Sequence, residues 1–475
     1  MSAGVHVTPF AGAWYPADPA ELRDLLSRLW HASEERTGRS APSGPAGFVV
    51  PHAGLIYSGS VAAAAYRRLG APPSIVLLGF AHHGAPPGCW LPEVEVYRTP
   101  LGDIEVDRGA VERLTASGAF RRMEEDVLCD HSVEIQLPLL LHAAPAARLI
   151  PVYVSRLDPE ERKEAAHALA ALTRDGAVLI ASSDLTHFGR SFGYQPFPAD
   201  GSAPERLRRL DESTIEAAGS LRSSRFLDAV RASGSTVCGT APISLLLDAM
   251  AAIEPATGEI FQDTLDYRTS GDITGDWTHS VSYAALGYYP WPSLELNAED
   301  QRLLLDSVRR TLLRYLETGV RQAVPPERIT PGLERRAAAF VTLHKHGELR
   351  GCVGRLCGGD PVARIVPELA LSAALDDSRF EPLTAGANGS DIRAEISILS
   401  PPKRVDSRSA FRVNEHGAIL ETDCDRGLLL PQVAIERQWT AEQFLNALAR
   451  KSGTTPEAYE DAATKLSVFR AQVIR

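Results

Sequence analysis

None of the six cysteines of this 475-residue chain, Cys89, Cys129, Cys238, Cys352, Cys357 and Cys424, stands in a C-x-x-C pair. A zinc ribbon, a redox dithiol and an iron–sulfur cage built within the chain are thereby excluded, and any cysteine that matters acts singly. No apolar run approaches the roughly 20 residues that cross a bilayer. The first residues show no basic start followed by an apolar core. A cytoplasmic protein without membrane association is the expectation. A basic excess is missing as well: the net charge of −11 is carried by residues 1–295, and the remainder is close to neutral. Neither part has the footprint of a general nucleic-acid binder.

The chain is too long for one ordinary core, so two or more domains are expected. The boundary is legible at Tyr288-Tyr289-Pro290-Trp291-Pro292-Ser293. It divides the chain into a domain at 1–289, a linker at 290–297 and a domain at 298–475. In the first domain apolar strand patterns alternate with helix patterns. Gly47–Val50, Ser74–Phe80, Arg148–Val154 and Ala177–Ala181 read as strands, and Pro19–His31, Ser58–Leu69, Pro159–Leu172 and Pro242–Ala251 as helices. Ser132 is the expected N-cap of a helix beginning near Asp130. That rhythm predicts an α/β sandwich with a mostly parallel or mixed central sheet. Asn297 caps an amphipathic helix that Gly319 ends, and the short strands and helices beyond it, without βαβ rhythm, predict a smaller α+β domain.

Three of the apolar runs stop at histidine. Phe48-Val49-Val50 leads to Pro51-His52-Ala53-Gly54, Val76-Leu77-Leu78 leads to Ala81-His82-His83-Gly84, and Leu179-Ile180-Ala181 leads to Asp184-Leu185-Thr186-His187. Open α/β sheets bind ligands outside the carboxyl ends of their strands, where these residues fall. Imidazole and thiolate are the soft donors available, so His52, His82 and Cys238, each in a glycine-containing loop, can converge as three ligands that leave coordination positions open. Each histidine can equally cap a strand end through hydrogen bonds alone. Asp184 can orient His187 as a base, or cap a helix. His131 and Glu134, with His83 and Tyr57, are candidates to touch substrate or support the ligands. In the second domain Arg350, Cys352 and Arg379 are candidates, against a reading of Cys352 as inert packing and of Asp377–Arg379 as a turn pair.

Residues 5–289 resemble the Memo family through Gly12-Ala13-Trp14-Tyr15, Pro51-His52-Ala53-Gly54, Ala81-His82-His83, Asp130-His131-Ser132-Val133-Glu134, Asp184-Leu185-Thr186-His187 and Val237-Cys238-Gly239. Residues 296–475 resemble the AMMECR family through Leu349–Gly354, Asp377-Ser378-Arg379-Phe380 and Arg426–Val433. The first resemblance implies the fold of class III extradiol, non-haem iron dioxygenases. It implies His52, His82 (rather than His83) and Cys238 as metal ligands and His187 as the acid/base. Iron(II) is the implied metal, and the thiolate admits copper(I) or zinc. The pairing of the two families implies an enzyme of the AmmeMemoRadiSam type that acts with a radical SAM protein on a small-molecule or modified macromolecular substrate. The alternative is a scaffold that holds a peptide or phosphate-bearing ligand in the same cleft without catalysis.

Overall fold

The computed structural model describes residues 4–38, 44–356, 359–386, 389, 391–422, 425–461 and 464–475. Cys357 and Cys424 lie outside the described residues. The chain divides into two units between Ser293 and Leu294, inside the segment expected to link two domains.

The strands of the first unit run, in chain order, β1 Val5–Val7, β2 Gly47–Val50, β3 Ser74–Gly79, β4 Cys89–Pro92, β5 Val96–Thr99, β6 Gly102–Glu105, β7 Phe120–Met123, β8 Arg148–Val154, β9 Val178–Ser182, β10 His187–Gly189, β11 Ile260–Thr269 and β12 His279–Pro290. Among the described residues β1, β5 and β6 form a small sheet, and the rest form a nine-stranded sheet in the order β10-β12-β2-β9-β3-β8-β4-β7, with β11 also on β12. The middle pairings, β2 with β9, β9 with β3 and β3 with β8, are parallel, whereas β12 runs antiparallel to β2, β10 and β11. Every residue of β2, β3 and β9 is buried. Strands covered on both faces read as continuous apolar runs, which is why these were visible in the sequence. Burying each Val, Leu, Ile or Phe contributes about 1.5–3 kcal/mol.

Local chemistry sets the helices. Asp18 caps Pro19–Thr37 through Ala20 and Glu21, Asp107 caps Arg108–Ala116, and Asp158 with Glu161 makes a capping box for Pro159–Thr173. The short helix His131–Glu134 is capped by Asp130, whose carboxylate accepts from Ser132 N, and not by Ser132 as expected. Ser132 is occupied elsewhere: its Oγ accepts from Phe80 N at 2.9 Å and donates to Phe80 O at 2.7 Å, clamping the chain just after β3. Gly79 makes that approach possible, because a Cβ there would stand 2.5 Å from Val133 Cγ2 and 2.7 Å from Ser132 Oγ. Gly79→Ala is therefore expected to cost about 1–3 kcal/mol in denaturant unfolding. An unchanged midpoint would show that the clamp yields freely.

The second unit holds two antiparallel sheets among its described residues. One orders Glu348–Arg355, Ala339–Lys345, Ile392–Leu399 and Ala471–Ile474; the other orders Lys403–Arg404, Lys465–Phe469, Gly417–Glu421 and Arg426–Leu429. Helices Val362–Leu375 and Ala298–Thr318 share a core with the first sheet, and helix Ala441–Lys451 with the second. This is the smaller α+β arrangement predicted. Among the described residues no helix is long and apolar enough to cross a membrane.

Candidate metal centre

Strand order assembles the site. Because β9 lies between β2 and β3, with all three parallel, their carboxyl ends adjoin, and these ends carry Asp184, His52 and His82 respectively. Asp184 Oδ1 accepts from the backbone N of His52 at 2.8 Å, so one strand's loop positions the next strand's histidine. Cys238 arrives from the far side on the loop before helix Thr240–Thr257. Gly239 permits its approach, since a Cβ there would lie 2.4 Å from Ser183 Cβ, and Gly239 N donates to Ser183 Oγ at 2.9 Å. Cys238 Sγ ends 3.1 Å from His52 Nε2 and accepts from Asp184 N at 3.3 Å.

Three imidazoles meet here. One donor atom each of His52, His82 and His131 lie within 4.8 Å of one another; Cys238, expected as the third ligand with His52 and His82, is not in this group, though its Sγ contacts His52. His131, expected only to support the ligands or touch substrate, is thus part of the cluster. It stacks between Trp14 and His82, with ring centroids 4.5 and 4.1 Å away. The wholly buried Asp130 orients His82, its Oδ1 lying 2.9 Å from His82 Nδ1, and the same oxygen is 3.3 Å from His131 Nδ1 as a charge neighbour without a hydrogen bond. A carboxylate on Nδ1 holds a proton there and leaves Nε2 as the free donor, the usual support for a metal-bound histidine. His52 Nδ1 faces Ser182, 3.1 Å from its Oγ, and Gln136 Nε2 donates to that same Oγ at 3.0 Å.

Electrostatics keep these donors available. Burial and the neighbouring His82 push His52 down to about 3, so its imidazole is neutral at ordinary pH. Burial likewise pushes His131 down to about 4. Burial opposes ionisation of Asp130, but the hydrogen bond from His82 and the charge of His131 outweigh it and hold the carboxyl at about 2. Burial and then the Asp184 charge push the Cys238 thiol up to about 12, so the thiol carries its proton unless a cation displaces it. Imidazoles beside a thiol are a donor set that fits iron(II), copper(I) or zinc. Burial raises Asp184.

His187 stands apart from the imidazole cluster and is held differently from the expectation. Its Nδ1 faces two backbone carbonyls, Leu185 O at 3.2 Å and Thr236 O at 3.1 Å, rather than the Asp184 carboxylate. Carbonyls only accept, so Nδ1 carries the proton and Nε2 is the basic nitrogen. The Asp184 carboxylate was read as the orienter of His187 because it sits three residues before it; the bond it makes instead is to His52. His187 N and O both bond Thr236 Oγ1, which ties the base to the Cys238 loop. Asp211, unforeseen in the sequence, accepts from Thr186 Oγ1 at 2.6 Å and from the Tyr267 phenolic hydroxyl at 2.7 Å. His83 is exposed, Tyr57 is 37% exposed, and Glu134 turns away to His6, with Oε1 3.0 Å from His6 Nε2.

In the second unit the three expected residues come together from two places, Arg350 and Cys352 on strand Glu348–Arg355 and Arg379 in the turn after helix Val362–Leu375. Cys352 N donates to Asp377 Oδ2 at 2.8 Å, Thr342 Oγ1 donates to Cys352 Sγ at 3.3 Å, and Arg379 grips Asp377 with Nε and NH2 at 2.9 and 2.6 Å. The Arg379 guanidinium holds Asp377 well below the usual carboxylate range. Arg350 and Arg379 both lie over the Phe380 ring. A separate groove of about 910 Å³, lined by Leu312, Leu316, Ile392, Arg393 and Arg475 among others, was not foreseen, and none of these three residues lines it.

Comparison with known proteins follows the division into units. Residues 7–287 match the family model described as Memo-like protein, and residues 305–474 match that of AMMECR1. A MEMO1 family protein of Methanopyrus kandleri is 31% identical over 292 residues, 58% of this chain and 96% of its own. Protein MEMO1 of Homo sapiens is 31% identical over 289 residues, 58% of this chain and 94% of its own. A solved structure of an uncharacterized protein of Pyrococcus horikoshii is 32% identical, covering 36% of this chain and 88% of that one, with a TM-score of 0.34.

Proposed function

The chain belongs to the Memo-like protein family through residues 7–287 and carries an AMMECR1 domain at 305–474, and from that premise we propose that the first unit is a metal-dependent redox enzyme of the non-haem iron, dioxygenase-like kind. The observation that carries this reading is the meeting of His52 Nε2 and Cys238 Sγ at 3.1 Å beside the donor atoms of His82 and His131. Iron(II) is the metal proposed, with copper(I) and zinc as the alternatives that a thiolate admits. His52, His82 and Cys238 hold it, and His131 is within reach as a further donor. When bound, iron or copper would supply a Lewis-acidic, redox-active centre, and zinc Lewis acidity alone.

The other side chains have separable tasks. Nε2 of His187 accepts a proton from substrate, because its Nδ1 is committed to carbonyls. Asp184 keeps His52 in place through the backbone. The Trp14 and Phe80 rings flank His131 and His82 and limit their rotation. The substrate is a small molecule or a modified macromolecule, and the partner is a radical SAM protein, as the pairing of the two families implies; these 475 residues include no C-x-x-x-C-x-x-C run for such a cluster.

Metal content of the full chain purified without oxygen tests the reading, with Cys238→Ser as the informative variant. The wild type is expected to carry at least one equivalent of transition metal. The variant should lose copper(I) affinity by more than about 10-fold while losing less for iron(II), because the soft donor is gone and the imidazoles stay. A wild-type chain that takes up no transition metal would leave a ligand-holding scaffold as the better account of the cleft.

A further inference from the structure

Facing away from the histidine cluster, the segment Cys129–Glu134 meets strand β1 at a second group of donors. The register of the small sheet sets His6 beside Tyr97, and one donor atom each of His6, Cys129 and Glu134 lie within 4.8 Å of one another. His6 Nε2 is 3.0 Å from Glu134 Oε1, and its Nδ1 is 3.7 Å from Glu125 Oε2. Cys129 Sγ is 3.5 Å from the hydroxyl of the fully buried Tyr97. The Glu134 side chain is wholly buried, and its second oxygen, Oε2, has no hydrogen-bond partner. Leaving a carboxylate oxygen buried and unpaired is costly, so a fold that retains one calls for a partner that supplies positive charge.

We propose that His6, Cys129 and Glu134 form a second site, for a divalent transition metal of the zinc type. Nitrogen, sulfur and oxygen donors from three side chains are the ligand kinds zinc takes, at roughly 2.0–2.3 Å each, which fits donor atoms up to about 4.6 Å apart. Glu134 Oε2 is the oxygen a cation would engage, Glu125 lies at the mouth as a further ligand, and the Tyr97 hydroxyl can donate to the Cys129 thiolate. The arrangement couples two centres through one turn of chain. Cys129 and Glu134 serve this site while the intervening Asp130 and His131 serve the histidine cluster, so ordering one orders the other.

A proton can close the same group: burial pulls His6 down, but its hydrogen bonds and charge pairing with Cys129 and Glu134 outweigh that and push it up to about 10. The two accounts differ in stoichiometry. The metal-stripped full chain is titrated anaerobically with cobalt(II) and with zinc, following equivalents bound and thiolate-to-cobalt absorption. Two equivalents are expected. Cys129→Ser and the isosteric Glu134→Gln should each remove one equivalent with an unchanged circular-dichroism melt, and His6→Gln, nearer the surface, should do so if Glu134→Gln fails to fold. A chain with both His52→Ala and Cys238→Ser should keep one equivalent with thiolate-to-cobalt absorption. Wild-type stoichiometry in Cys129→Ser and His6→Gln, or loss of all thiolate-to-cobalt absorption in the double variant, would overturn the site in favour of a protonated His6–Glu134 pair. One wild-type equivalent, abolished by Cys129→Ser and kept in the double variant, would uphold this site and remove the first.

Discussion

His52→Ala is expected to lower metal affinity at the strand-end cluster by more than about 100-fold, and His187→Ala to change it by no more than a few-fold. The scale comes from mutations of groups that only support a metal ligand, which themselves cost about 10–100-fold; a ligand should exceed them. His52 is the residue through which the cluster is joined. Its Nε2 faces Cys238 Sγ at 3.1 Å, and its donor atom lies within 4.8 Å of those of His82 and His131. Its side chain is neutral across the ordinary pH range, so no proton competes for the lone pair. His187 has its Nδ1 committed to two carbonyls and belongs to the wall that carries Cys238. Turnover, once a substrate is known, should fall in both variants, so metal content is the discriminating measurement. Equal losses would make His187 a ligand and leave the proton acceptor unassigned.

The strand-end placement of His52, His82 and Asp184 was legible because β2, β3 and β9 are buried on both faces and therefore read as apolar runs that stop abruptly. The α/β and α+β classes of the two units followed from the same periodicity. Strand β11, Ile260–Thr269, escaped notice because Gln262, Asp263, Thr264, Asp266 and Arg268 break its apolar pattern, and it lies on β12 with a register shift between Thr264 and Asp266. The central place of His131 was hidden for another reason. Its neighbours Trp14, His52 and His82 come from distant parts of the chain, and no local period reports a stack made by tertiary packing. Proximity in sequence misled once, at Asp184 and His187, where a three-residue spacing suggested a hydrogen bond that the strand geometry gives to His52 instead. The thiol was visible as a donor, but its contact with His52 depends on Gly239 passing Ser183, which only the folded chain displays.

Asp130→Asn is expected to weaken metal binding about 10–100-fold and to destabilise the chain by about 1–3 kcal/mol. All the groups around this carboxylate donate to it: Oδ1 takes His82 Nδ1 and Ser132 N, each at 2.9 Å, and Oδ2 takes His82 N at 3.1 Å. An amide in either orientation sets its NH2 against one of those N–H groups. If the NH2 takes the Oδ1 position, His82 loses the acceptor that keeps its proton on Nδ1, and its Nε2 ceases to be a reliable donor. If it takes the Oδ2 position, the backbone N of His82 is left unsatisfied and the loop after β3 loosens. Asp130→Ala would strand the same donors at about 3–5 kcal/mol by analogy with breaking a buried charged pair, so the isosteric change is the variant to examine. Ser132→Ala serves as the comparison, since it removes the clamp on Phe80 and leaves the tautomers alone. It should lower the unfolding midpoint with metal affinity changed less than in Asp130→Asn. Nitrogen chemical shifts of His82 in the metal-free protein report its tautomer directly. An Nδ1-protonated His82 in Asp130→Asn, with metal affinity equal to that of Ser132→Ala, would mean that Asp130 merely braces the loop and does not set the donor.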